Sequence, residues 1–491
     1  MSVDDGPTTA PGEKRPSSSP RSDPEKLVDA EYKEFVHDDQ WTTELDKRIK
    51  RKMDWRIIPL SAFIYLLCSL DRSNIGNAKI MNKEKGHDLL TQVHMTNYEY
   101  TIALMMFYLA YALFEVPSNI FLKRMRPSRW IAILMISWGS CTIGLGGVHS
   151  YASLTIVRFL LGVFEAGLFP GLVYYLTFWY RPEERSMRVS LILASATLAG
   201  AFGGAIAYGI ARMDNVSGLS AWRWLFILEG IPSVALAPVI AFLLPDYPES
   251  ARWLTVEERA RAEERLRGSG SSSTSDGLKW EDIQATVLSP RLWVHYIAYF
   301  GVSPPFSSLS LFSPTIVAGL GYTSLRAQLF TVPPYAVAYV VQVCTSYLAD
   351  RLNRRGLVTM IMATIGAIGF ITEACLPVDD YMSRYGALIL AASGSFASIP
   401  PLLGWLTSNT RTTSGTGLAV AMNISTGAPG QILGVWIYKA SEAQRGFPTG
   451  HWTNAGLLLM VACICLGLHL WYVRMNRKIL QAGKGERLYK L

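Results

Sequence analysis

Of 491 residues, 50% are hydrophobic and only 17% are charged, against about 25% charged in ordinary soluble domains, so the chain carries too much apolar surface for a soluble globular protein. Its formal net charge is +8, but the basic residues stand in short groups beside apolar runs and form no single stripe, which argues against a nucleic-acid surface. The six cysteines all lie in apolar runs and read as small buried residues, outside any exterior loop where disulfides form, and Cys463 and Cys465 have the wrong spacing for a zinc site.

Residues 1–54 open the chain as a polar tail containing SSSPRSDPEK, which is expected to be disordered. No apolar core region follows its charges, so it does not read as a signal peptide, and the first apolar run takes the role of anchor. That run, residues 57–78, is IIPLSAFIYLLCSL followed by Asp71, Arg72 and SNIGNA. An ionised side chain at bilayer depth costs at least about 2.5–3.5 kcal/mol. Such residues face the bundle interior, pair with one another and mark a solute or proton path; the plainer alternative is that Asp71 and Arg72 lie among the headgroups.

Further runs near the roughly 20 residues that span a bilayer follow at 98–121, 130–148, 153–179, 189–211 and 224–244. Six more occupy 292–318, 327–348, 358–376, 385–406, 415–437 and 454–473. The second run carries Tyr111 and, one turn on, Glu115. The fourth carries Arg158 and Glu165, which share a face because they are seven residues apart, and are expected to pair with Asp71 and Arg72 across the bundle. A carboxyl in such a place can take or release a proton as its surroundings change, which is what proton coupling needs; a static network fixing the first and fourth helices is the competing reading. The sixth run carries Glu229, assigned to structure.

Between the sixth and seventh runs, residues 246–290 form a polar linker. It holds the charged, helix-favouring TVEERARAEERLR, the spacer GSGSSSTSDG, and a short surface helix expected over 279–287. In the seventh run residues 303–308 read SPPFSS, and in the eleventh residues 423–430 read NISTGAPG. Pro and Gly there predict broken helices, tolerated at depth where they line a cavity or are buried in protein. Asn423 is the candidate ligand of the latter segment, with helix packing through small residues as the alternative.

Basic groups follow the even runs: Lys123, Arg124, Arg126 and Arg129; Arg181, Arg185 and Arg188; Arg351, Arg354 and Arg355; Arg474, Arg477 and Lys478. The opposite loops hold fewer, although Lys79, Lys83 and Lys85 run against the trend. The positive-inside rule then places both termini in the cytoplasm. Asn215-Val216-Ser217, in a loop on the other side, is a glycosylation acceptor sequence.

Residues 347–356 (YLADRLNRRG) and 120–129 (IFLKRMRPSR) occupy equivalent places after the eighth and second runs. Six runs, a linker and six runs with matching loops predict a duplicated, all-α membrane protein. Its two six-helix bundles, 55–245 and 291–478, place the site at their interface, and 479–491 is a cytoplasmic tail.

This organisation resembles the major facilitator superfamily, whose loop motif Asp350, Arg351, Arg354, Arg355 and Gly356 match; in the first copy Lys123 stands where an Asp is usual. The segments LDRSNIGNA at 70–78, FEVPSN at 114–119, RFLLGVFEAGLFP at 158–170, FILEGIP at 226–232 and LPDYPESARWLTVEER at 244–259 are similar to its anion:cation symporter branch, which includes fungal permeases for carboxylates. The resemblance implies a twelve-helix fold. It implies that Asp71 and Glu165 carry the coupling proton, that Arg72 holds a substrate carboxylate, that Arg158 pairs with the acids and that Tyr111 contacts substrate. The loop residues Asp350, Arg351, Arg354 and Arg355 are then a gate. Ser69 stands where many relatives have an aromatic residue.

The chain has no phosphate loop, no metal-ligand cluster and no nucleophile–base constellation. The expectation is a transporter and not an enzyme: proton-coupled symport of a small organic anion by alternating access, with no cofactor and no metal. It is expected to act as a monomer in the plasma membrane, with the bilayer, the anion and the proton as its partners. Export of a host-made metabolite and nutrient sensing without transport are the alternatives.

Overall fold

A computed structural model describes residues 24–267, 284, 286–322, 324–410, 413–482 and 488–491. Among them there is no strand, only a bridge between Val216 and Leu219. Residues Met1–Arg51 and Lys52–Leu491 are two compact units. Helical backbone begins at Pro24, inside the segment expected to be disordered. Its sequence there is rich in Glu, Lys and Arg, which favour helix, and the Glu44–Lys47 pair closes at 2.8 Å across one turn.

Twelve long helices follow the twelve apolar runs. In the first half they are α1 (Pro24–Ile80), α2 (Asn97–Arg124), α3 (Pro127–Leu145), α4 in two pieces (Tyr151–Glu165 and Leu168–Thr177), α5 (Pro182–Ile210) and α6 (Ala221–Leu243). The second half has α7 (Pro290–Gly319), α8 in two pieces (Ser324–Phe330 and Val332–Leu352), α9 (Arg355–Cys375), α10 (Tyr381–Ser408), α11 (Thr413–Trp436) and α12 (Pro448–Ala482). Ten are long and apolar enough to cross a membrane by length and composition; α7 and α11, the Ser-, Pro- and Gly-rich pair, are long enough but more polar. The linker contains the helix Val256–Arg267, while most of the expected helix at 279–287 lies outside the described residues.

Local chemistry sets the helix ends. Thr96 accepts from the Glu99 amide at 3.2 Å and Glu99 accepts from the Thr96 amide at 2.8 Å, a capping box that starts α2. Ser150 and Ser153 start α4 in the same way. The α4 break falls at Ala166 and Gly167, where a Cβ on Gly167 would collide with Ser118 of α2. The breaks expected at 303–308 and 423–430 are absent. Both helices run through their prolines and pack along each other, with Gly427, Gly430 and Gly434 of α11 laid against residues 299–307 of α7.

In the first half α3 packs on α6 and α2 on α4; in the second, α9 packs on α10 and α12, and α8 on α10. The halves meet where α2 touches α11 and α5 touches α8. These two contacts are equivalent under a six-helix repeat, which exchanges α2 with α8 and α5 with α11.

We call the end of the bundle that carries the Val256–Arg267 helix the linker side and the other the far side. On the far side the halves press together. A Cβ at Gly76 of α1 would strike the Leu311 carbonyl of α7, one at Gly200 the Tyr335 ring, and one at Gly204 the backbone at Gln328. Lys79 lies 4.6 Å from the Tyr100 ring centre and 5.5 Å from that of Phe312, and Tyr98 meets Trp436 edge-on at 5.6 Å. On the linker side charges bind the first half to itself and to the linker helix: Asp54 takes Arg188 through both oxygens at 2.7 Å, Glu258 takes Lys52 at 2.6 Å and Glu184 takes Arg265 at 2.7 Å.

The cysteines depart from the expectation of uniform burial. All six are free, Cys68 and Cys465 are buried, but Cys344, Cys375 and Cys463 are exposed on the outer surfaces of their helices, because an apolar residue in a spanning helix can as well face lipid as protein.

Candidate functional site

Adjacent residues on a helix point about 100° apart, so Asp71 and Arg72 cannot serve the same neighbour. Arg72 turns toward α4 and α2: its Nε donates to Glu165 Oε2 at 2.9 Å, and its guanidinium lies 5.0 Å from the Tyr111 ring centre and 5.5 Å from that of Phe107. Asp71 turns toward α6, where the Ser233 hydroxyl donates to its Oδ2 at 2.8 Å. Asn74 shares the Asp71 face, three residues on, and donates to Glu229, four residues before Ser233 on α6. Asp71, Glu165 and Ser233 are fully buried.

The expected pairing of both acids with both arginines is therefore half met. Arg72 takes Glu165, but Arg158 does not take Asp71. It donates from Nη1 to the backbone carbonyl of Arg72 at 3.3 Å and lies 6.0 Å from the Phe107 ring centre, while its Nε and Nη2 have no hydrogen-bond partner. Arg158 thus braces the α1 backbone beside the ion pair. One oxygen each of Asp71, Glu165 and Glu229 also lacks a hydrogen-bond partner.

The Arg72–Glu165 pair borders a cavity between the halves. Tyr65 and Arg72 of α1, Tyr111 of α2, Phe169 of α4 and Leu193 of α5 form one wall; Tyr299, Ser303 and Phe306 of α7, Ile399 of α10, and Ile424 and Gln431 of α11 form much of the other. The volume open to the centre of a water molecule is about 30 Å³, room for a few waters. Arg72 is the one charged side chain in this lining, so the cavity is an apolar, aromatic space with a single cation and a ring of hydroxyls and one amide. Such a site suits a small, flat or apolar molecule with one anionic end.

Spacing explains which residues reach it. Tyr65 and Arg72, and Ile424 and Gln431, are seven apart on their helices, and Tyr299, Ser303 and Phe306 fall at offsets of four and seven, so each set is one stripe. Asn423 is one residue off the α11 stripe. It is buried with its Nδ2 unpartnered and does not line the cavity, so its expected place among the substrate contacts is not met. Tyr65, Tyr299 and Gln431 line the cavity without having been singled out in the sequence; the seven-residue offsets from Arg72 and Ile424 were the available signal. Glu115 faces the second half, accepting from the Ser425 hydroxyl of α11 at 3.3 Å.

The loop residues lie apart from this cavity on the linker side. Arg355 is buried and donates from Nε to Asp350 at 2.8 Å, and also to the Gly404 carbonyl and the Ser408 hydroxyl of α10. Arg351 and Arg354 are exposed. Asn215 is exposed in a tight far-side turn, with φ of 69°.

Residues 61–435 match the family model described as Major Facilitator Superfamily. The chain is 61% identical over 460 residues, 93% of each chain, to the MFS transporter prlL of a fungal species (strain NRRL 50135). It is 29% identical over 401 residues to the high-affinity nicotinic acid transporter of Saccharomyces cerevisiae, covering 82% of this chain and 73% of that one. Among solved structures, a bacterial homologue of the human lysosomal transporter Spinster, in an inward-facing and unoccupied conformation, superposes with a TM-score of 0.64 at 15% identity, over 85% of this chain and 97% of that one. The proton:xylose symporter XylE superposes with a TM-score of 0.63 at 17% identity, over 85% and 95%.

Proposed function

The chain belongs to the major facilitator superfamily, a multi-pass membrane transporter, and on that premise we propose that it carries a small organic anion together with a proton by alternating access. The observation that supports this reading is Arg72: a buried guanidinium that lines the cavity between the halves and is ion-paired to a buried carboxylate. A substrate carboxylate entering the cavity competes with Glu165 for Arg72, because the planar guanidinium offers paired donors that fit a carboxylate. Glu165, released from its counter-charge in a dry site, then holds a proton in its place, since an uncompensated buried charge is the costlier state. Substrate and proton so occupy the cavity together, and rocking of the halves exposes both to the other side.

Asp71 belongs to the same machinery as a second proton holder, bound to Ser233 on α6, which ties α1 to α6 during that motion. Tyr111, beside the guanidinium, packs on the substrate body, and Arg158 holds the α1 backbone that carries Arg72. The loop residues Asp350 and Arg355 lock α8, α9 and α10 together on the linker side, which we place in the cytoplasm with both termini. The protein works as a monomer in the plasma membrane. Likeness to a nicotinic acid transporter makes nicotinate the first probe.

Uptake into liposomes tests the proposal. Labelled nicotinate and a panel of monocarboxylates are offered with and without an imposed proton gradient. Accumulation of at least one of them that follows the gradient is expected; wild-type protein that exchanges an anion but never accumulates it against its gradient would rule out proton symport.

A further inference from the structure

A second buried polar cluster lies in the other six helices, away from the cavity. Glu373 sits near the far end of α9, Arg384 on the first turn of α10, Tyr438 just beyond α11, and His451 and Asn454 at the start of α12. Glu373 and His451 are completely buried. His451 Nδ1 lies 3.4 Å from Glu373 Oε2 and 3.3 Å from the Tyr438 hydroxyl. Asn454 Nδ2 donates to that hydroxyl at 3.3 Å and to the Ser308 hydroxyl of α7 at 3.0 Å. The neighbouring Ser307 donates to the Gln431 carbonyl at 2.9 Å, and Gln431 lines the cavity. Hydrogen bonds thus run from the far end of this half to Ser308 of α7, and one residue along that helix Ser307 meets the backbone of the cavity-lining Gln431.

The charges around the pair are few. Arg384 is the permanent cation nearby; its Nη2 donates to the Gly446 carbonyl at 2.8 Å and its Nε has no partner. Glu442 of the loop before α12 is taken by the amide and hydroxyl of Thr449 and lies 4.0 Å from Lys439. From α7 and α11 the cluster receives only hydroxyls, and from α9 the Phe370 ring, 6.0 Å from that of His451. Neither Glu373 oxygen has a conventional hydrogen bond, and His451 Nε2 and Asn454 Oδ1 are also unpartnered. Buried polar groups are normally satisfied, and a cluster left this open calls for an occupant.

We propose that Glu373 and His451 form a proton-binding pair, one proton lying between Nδ1 and Oε2, with Tyr438, Asn454 and Ser308 linking its occupancy to the cavity wall. The titration of the pair stands by itself; its use in transport rests on the symport reading above.

Infrared difference spectra of the purified full chain in lipid nanodiscs, between about pH 5 and about pH 9, read the pair directly. Wild type is expected to show a carboxylic acid band that vanishes in Glu373→Gln, moves in His451→Gln and survives in Glu442→Gln. A spectrum unchanged by Glu373→Gln overturns the site. Should that variant fail to fold, judged by its thermal melt, His451→Gln and Tyr438→Phe carry the test, and a band unmoved in both is equally fatal. Asn454→Leu cuts the hydrogen bonds to Tyr438 and Ser308 while leaving the band; proton-driven accumulation of nicotinate is expected to be lost and counterflow kept, and unchanged accumulation refutes the link to the cavity. If wild type itself accumulates nothing, the symport reading fails while the infrared band still decides the site.

Discussion

Arg72 has two duties, as the partner of Glu165 and as the cation of the cavity, and its variants separate geometry from charge. Arg72→Lys keeps the charge but removes the planar fork that Glu165 takes in the empty site and the substrate carboxylate takes in the loaded one. Losing one such charge-assisted bond, worth roughly 1.5–3 kcal/mol, is expected to weaken anion binding about 10- to 100-fold in a direct binding assay; normal binding would remove Arg72 from the clamp. Glu165→Gln still accepts from Arg72 but cannot exchange a charge for a proton, so gradient-driven accumulation should vanish while exchange of labelled for unlabelled substrate continues. The two acids should also differ in stability. Asp71 is held by Ser233 and not by an arginine, so Asp71→Asn keeps its partner and is expected to cost about 1 kcal/mol. Glu165→Ala strands a buried guanidinium, at about 3–5 kcal/mol. Equal losses in unfolding titrations would contradict the pairing. At this scale the sequence was half readable. The seven-residue spacing of Arg158 and Glu165 put them on one face, but which side of α1 each charge sought depended on α6, whose Ser233 carries no signal of its own. Asn423 misled for the opposite reason: its polarity is conspicuous, yet the stripe that matters runs through Ile424 and Gln431.

Helix contacts at glycine seal the far side, and they make a prediction about elements. At Gly76 the backbones of α1 and α7 approach so closely that a Cβ meets the Leu311 carbonyl, a backbone atom that cannot swing aside. Gly76→Val is therefore expected to hold α1 off α7, leaving the far side unable to close. A thiol placed at Ser303→Cys, on the cavity wall, should then react with an impermeant reagent from the far side several times faster than in the parent background, at reduced transport. Unchanged labelling would mean that α1 and α7 do not form the seal. Length and apolarity located the twelve helices, although α7 and α11 are more polar than the other ten. Their interruptions were harder to see. The proline-rich stretches of α7 and α11 looked like breaks but stay helical where Gly427, Gly430 and Gly434 of α11 lie against residues 299–307 of α7, a packing that neither stretch announces by itself. The real interruption in α4 follows from Gly167 packing against Ser118 of another helix, a contact that no local pattern announces. Likewise the helix from Pro24 was masked by the polarity of its residues, which disfavours a core but not a helix.

The two-fold logic of the molecule was legible from the linker and the paired basic loops, and the contacts between α2 and α11 and between α5 and α8 give it physical form. Alternating access requires that these contacts slide or part during each cycle, because they join the two halves on either side of the cavity. Thr197 of α5 and Gln342 of α8 sit on this seam, with hydroxyl and amide oxygens 2.6 Å apart. Joining them should hold the halves together at that level. The experiment uses a background in which the exposed Cys344, Cys375 and Cys463 are replaced, since they would compete for reagent, and introduces Thr197→Cys with Gln342→Cys. A short cleavable bis-thiol reagent is expected to abolish nicotinate flux in liposomes, and reduction to restore it. Either single variant should keep its flux after the same treatment. Because the reagent fixes only the distance between α5 and α8, a cross-linked protein that still transports at the parent rate would show that the halves do not rock about this seam, and the cavity would have to open by bending within one half.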